Sequence, residues 1–122
     1  MLERKQIQRL LDIAFLGFQK GHTAQARQVI DGLDQLLEES VELEICRAMG
    51  FYTVDQFEAA TEILSAAEEK YPENPMVKTH TALVDLLLGN TFEAKNKLDH
   101  VIEGDLDPQA TALAKQLMAA YC

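Results

Sequence analysis

Shifted along itself by 34 residues, the chain lays alanine on alanine in two separate columns: Ala14, Ala48 and Ala82 in one, Ala26, Ala60 and Ala94 in the other. The same register aligns Ile30, Leu64 and Leu98, then Leu33, Ala67 and Val101. It also sets the run from Gly21 to Ala26 against the run from Gly89 to Ala94. A pair of antiparallel helices explains the columns, because alanine facing alanine lets two helices approach without side-chain collision, whereas a larger residue would wedge them apart. Gly21 and Gly89 stand where the first helix of a pair must turn back, a place that takes positive φ. Asp55 replaces glycine in that column of the middle repeat.

The spacing predicts helices over 3–20, 23–37, 42–53, 56–70, 75–88, 91–103 and 108–121. Three prolines and six glycines in 122 residues leave a helix-rich alphabet, and no alternating run of β-branched or aromatic residues suggests a strand. With 48% hydrophobic residues the chain can close a core without disulfides or metal. The last helix follows Asp105, Leu106, Asp107 and Pro108 and carries Ala110, Leu113, Ala114, Leu117 and Met118 on one face. It reads as a cap, which a stack of repeats needs because each repeat buries its apolar face only against a neighbour.

A repeat beginning at Val41 places Ala48, Phe51, Phe57, Ala60, Leu64, Ala67 and Pro72 in the columns of the tetratricopeptide repeat, which this pattern resembles. The outer repeats, beginning at Ile7 and Pro75, are looser: the tyrosine-like column holds Gly17 in one and Asp85 in the other, and the first lacks the helix-ending proline. The resemblance implies an all-α fold of three tetratricopeptide-type helix pairs in a right-handed superhelix plus a C-terminal capping helix. The expected organisation is one domain over 1–122, with repeats at about 7–40, 41–74 and 75–108 and the cap at 108–121.

In the family this resembles, first helices line a concave binding face. The matching positions are Gln8, Leu11, Phe15, Phe18 and Gln19, then Glu42, Ile45, Met49, Tyr52 and Thr53, then Met76, Thr79, Leu83, Leu86 and Leu87. Most are apolar, and an exposed patch of several would exceed what a monomer usually shows to water. We take Leu11, Phe15, Phe18, Ile45, Met49, Tyr52, Met76, Leu83, Leu86 and Leu87 as the candidate partner-binding residues, suited to an amphipathic helix through adaptable Met and large aromatics. The competing arrangement folds the terminal helices over the groove and turns these side chains into ordinary core. No Lys, Arg or Asn stands among the positions, so a clamp for a C-terminal carboxylate is not expected.

The net charge of −9 argues against nucleic acid and anionic membrane as main partners. Arg9 and Asp12 interrupt Leu10, Leu11 and Ile13, so the N-terminus is not read as a signal peptide, and no run is long enough to span a bilayer. Cys46 and Cys122 show neither metal-site nor disulfide spacing, and a cytoplasmic location is expected. His22, His80 and His100 show no i, i+4 pairing, and Asp99, His100 and Glu103 near a helix end have a structural explanation in the helix dipole. With no phosphate loop, nucleophile elbow or zinc motif, we expect no enzyme, no metal and no cofactor; an enzyme built on His80 and Cys46 is the weakest reading. The run Glu38, Glu39, Glu42 and Glu44, with Glu58, Glu62, Glu68, Glu69 and Glu73, reads as a solvated outer face. Arg47 occupies a usually apolar column, with Glu44 and Asp85 as candidate partners.

A short acidic chain of three such repeats is similar to the small tetratricopeptide chaperones of bacterial type III secretion. Length and the early start of the repeat helices favour the chaperones of the needle subunit. That resemblance implies a non-catalytic protein that holds the subunit's C-terminal amphipathic helix and prevents premature polymerisation, with a second small helical co-chaperone. The alternatives are a translocator-type secretion chaperone or a general adaptor that binds on its acidic face. An unfilled groove could also be covered by a second copy in a homodimer.

Overall fold

The structure, a computed structural model, describes residues 3–36 and 40–122. Among these residues there are seven α-helices and no strand: α1 (Arg4–Gln19), α2 (Thr23–Leu36), α3 (Val41–Tyr52), α4 (Phe57–Lys70), α5 (Pro75–Leu87), α6 (Thr91–Gly104) and α7 (Pro108–Tyr121). Each expected helix is present, with boundaries within about a residue; the expected last residue of the second helix, at 37, lies outside the described residues.

Local chemistry sets these boundaries. The Ser40 hydroxyl accepts the Leu43 N–H at 3.1 Å and caps α3. The Asn74 side chain accepts from Met76 and Val77 at 3.0 and 3.1 Å, with Pro75 in the first helical position. Asp107 does the same for Gln109 and Ala110 at 2.9 and 3.3 Å, ahead of α7. At the turns inside each helix pair Gly21 and Gly89 take φ of +84° and +86°, and Asp55 in the same column takes +64°. The repeat therefore demands a left-handed residue there whether or not glycine supplies it.

The chain packs as two compact units, Met1–Ile63 and Leu64–Cys122, the division falling within α4. In the first, α1, α2 and α3 pack against one another. Ala14, Ala26 and Ala48 are fully or nearly fully buried, as the alanine columns require. Gly17 extends that logic: a Cβ there would stand 3.2 Å from Ala26 Cβ, so a glycine rather than an aromatic fills this column because α1 and α2 meet at it. The guanidinium of Arg27 on α2 donates to the Gly50 carbonyl on α3 and lies over the Phe51 ring, 5.3 Å from its centroid.

In the second unit α5, α6 and α7 pack together around Ala82, Ala94, Leu98, Val101, Ala110, Ala114 and Leu117. Burying a side chain such as Leu98 is worth about 1.5–3 kcal/mol. Asp85, in the column where the middle repeat has Phe51, receives Lys97 from α6 at 2.5 Å. Arg47 pairs with Glu44 one turn back on its own helix, at 3.2 Å.

Candidate protein-binding surface

Every candidate groove residue falls on the first helix of its pair, as the repeat register requires, yet the structure treats them differently. On α1, Leu11 and Phe18 are buried and Phe15 is half-buried. On α3, Ile45, Met49 and Tyr52 are all buried, and burial pushes the Tyr52 phenol up from its ordinary pKa. On α5, Met76, Leu83 and Leu86 are half-buried while Leu87 is 41% exposed.

Those four α5 residues share one helical stripe, and Met76, Leu83 and Leu86 rest on the buried cluster of the second unit. Leu113 and Met118 of α7 rest, half-buried, on the same cluster. The second unit thus presents half-covered aliphatic side chains from two helices over a packed base, a surface that can bury further area without unfolding anything beneath it. Thr79, on the same stripe, is fully buried and satisfies its hydroxyl on the Pro75 carbonyl at 2.8 Å, so it contributes shape and no polar contact. Leu113, a residue of the expected cap, packs on the same cluster as the α5 residues, which the repeat columns do not signal.

Exposed apolar side chains also occur outside the expected positions: Leu88 and Phe92 flank the α5–α6 turn, at 49% and 76% exposure, and Ile13 and Leu16 lie on α1 at 51% and 50%. Both pairs sit outside the expected groove positions.

The Cys46 thiol is buried, and burial first, then the charges of Glu42 and Asp12, push its pKa up to about 12. His80 is buried on α5, and desolvation lowers its pKa to about 4, so the ring is neutral near pH 7. His100 is exposed, with Nε2 4.0 Å from a Glu73 carboxylate oxygen. Among the described residues no group of three His, Cys, Asp or Glu side chains could hold a metal ion. Among them, too, no helix is long and apolar enough to cross a membrane.

The fold is shared with solved secretion chaperones. PcrH from Pseudomonas aeruginosa superposes with a TM-score of 0.70 at 19% identity, over 98% of this chain and 91% of that one. PcrH in complex with the chaperone binding region of PopB gives 0.69 at 19% identity, over 97% and 96%. SycD, a type III secretion translocator chaperone of Yersinia enterocolitica, gives 0.69 at 20% identity, over 96% and 91%. No curated protein matches the chain in sequence. The model of one family of bacterial type III secretion proteins, HrpB1_HrpK, matches residues 2–121, and the chain belongs to that family.

Proposed function

We propose that this protein is a non-catalytic chaperone of type III secretion that holds an apolar or amphipathic segment of a secreted client against the α5 stripe of Met76, Leu83, Leu86 and Leu87. The half-covered stripe over a packed base carries the reading, because its aliphatic side chains can bury further area against a complementary partner. Family membership supports the secretion context. The client class we favour is a translocator rather than the needle subunit expected from length: PcrH forms complexes with the chaperone binding regions of PopB and PopD, and SycD with a peptide of the translocator YopD. Such holding would act in the cytosol before export and would need no cofactor.

The test is co-purification from cells that express the chain together with a tagged secreted translocator of its own secretion system. Leu83→Glu and Leu87→Glu should each abolish recovery of the client while circular dichroism keeps the helical signal. Recovery undiminished in both variants would remove the α5 stripe as the site. Recovery of a needle subunit instead of a translocator would reverse the choice of client. Met49→Glu is no substitute, since Met49 is 2% exposed and a charge there would test folding. A complex that survives high salt supports apolar contact; one that dissolves points to an adaptor bound on the acidic face.

A further inference from the structure

Within the second unit an open hollow of about 280 Å³ lies between the start of α5, the end of α6 and the α6–α7 connection. Sites that enclose a small-molecule ligand run to roughly 300–1,000 Å³, so an open hollow of this size suits a single protruding side chain instead. Pro75, Val101 and Leu106 supply its apolar lining; Val101 belongs to the packed base, and Leu106 is 75% exposed. Leu106 is fixed from both sides. Asp105 before it closes α6 in the left-handed conformation, with its N–H on the Val101 carbonyl at 3.0 Å, and Asp107 after it caps α7 through Gln109 and Ala110. A partner that covers Leu106 therefore has little loop freedom to remove.

The charges of the lining are unevenly committed. The Glu73 carboxylate stands 4.0 Å from His100 Nε2. Lys78, half-buried on α5, enters no ion pair among the described residues, in a chain whose net charge is −9. The hollow thus joins an apolar lining to one uncommitted cation. Lys78 is two positions past Met76 and so about 200° around the helix, which puts the hollow and the α5 stripe on different sides of α5.

We infer that this hollow is a second docking site, which takes an internal aliphatic–acidic pair, such as Leu followed by Glu, from the surface of another protein. The aliphatic side chain enters against Pro75, Val101 and Leu106, and the carboxylate meets the Lys78 ammonium. Because the hollow is open to solvent, a chain can run across it and leave again, which suits an internal pair rather than a chain end. The hollow shares no residue with the α5 stripe, so it can be filled while a client is held, and the inference does not rest on the client reading.

Amide NMR shifts of the isotope-labelled intact protein, titrated with the blocked peptide acetyl-Ala-Leu-Glu-Ala-amide, test this. Saturable shifts are expected at the amides of Lys78, Val101, Gly104 and Leu106, with a Kd in the millimolar range that suits one side chain and one charge. Acetyl-Ala-Ala-Glu-Ala-amide should give no saturable shift. Acetyl-Ala-Leu-Gln-Ala-amide should bind about two- to fivefold more weakly than the Glu peptide, the range of an exposed ion pair. Lys78→Gln should bind the Glu and Gln peptides equally. Gly104→Leu should fill the hollow and abolish the shifts; a Cβ there meets Leu106 Cγ at 3.9 Å, an ordinary contact, so helicity and melting temperature should hold. Shifts that avoid these amides, equal binding of the Leu and Ala peptides, or a preference for Glu that survives Lys78→Gln overturns the inference. Tighter binding of acetyl-leucine, which ends in its own carboxylate, overturns the internal pair in favour of a chain end.

Discussion

Lys97 on α6 reaches Asp85 on α5 with 2.5 Å between Nζ and Oδ2, and this pair occupies the place where the middle repeat carries Phe51. In the third repeat an ion pair links the two helices of the pair from this column. With the Lys97 and Asp85 side chains only 29% and 17% exposed, the pair is partly shielded from water, so removing one partner leaves the other charge poorly solvated.

Asp85→Ala should therefore cost about 1–2 kcal/mol in urea unfolding, and Lys97→Ala a similar amount, with strong non-additivity in the double variant. Asp85→Leu/Lys97→Leu should recover most of the loss, because packed apolar side chains replace such a pair well. Independent, additive losses would show that the two residues do not act together.

At Gly17 the close approach of α1 and α2 predicts that helix propensity is overridden. Gly17→Ala should fail to stabilise, although alanine is the better helix former by about 1 kcal/mol. Its Cβ would meet Ala26 Cβ at 3.2 Å, and Ala26, buried on the facing helix, can yield only by moving its backbone. Gly17→Leu should cost about 2–3 kcal/mol from overpacking. Thermal melts of the two variants give the order.

Asp55 adopts φ of +64° where its counterparts are glycines, so Asp55→Gly should raise stability by about 0.5–1 kcal/mol. A loss in chemical denaturation would mean that the Asp55 side chain contributes something the left-handed turn does not require.

His80 makes folding pH-dependent. Its pKa is about 4 in the native state and about 6.5 in the unfolded chain, so between those values the unfolded state binds the extra proton. Stability should fall as the pH drops from about 6.5 toward 4, by about 3 kcal/mol at most from this group. Denaturation midpoints across that window should flatten in His80→Gln relative to wild type.

Cys46 and Cys122 should separate cleanly in thiol labelling. Cys122 is exposed and should react at once under native conditions, whereas Cys46, buried and held protonated, should react only after denaturant is added. Two fast equivalents in native buffer would contradict the burial of Cys46.

Helix existence and boundaries were legible because their signals are local. Ser40, Asn74 and Asp107 cap helices through their own neighbours' N–H groups, and Gly21 and Gly89 turn the chain through their own φ. The alanine columns also spoke for themselves, since Ala14, Ala48 and Ala82 are wholly buried. Arg47 was the intermediate case: both its candidate partners were visible, and only the geometry chose Glu44 and gave Asp85 to Lys97.

The binding surface was less legible. Phe15, Met49 and Leu83 share one repeat column, so the pattern assigns them one role, yet Met49 is buried and the other two are half-buried. By itself the sequence determined the helices of the described residues and which faces approach in α1–α2 and α5–α6, because these follow from periodicity and capping within a few residues of chain. The tertiary structure alone decided which apolar columns are core and which remain open to a partner, because exposure depends on atoms brought from elsewhere in the chain and no local spacing encodes them.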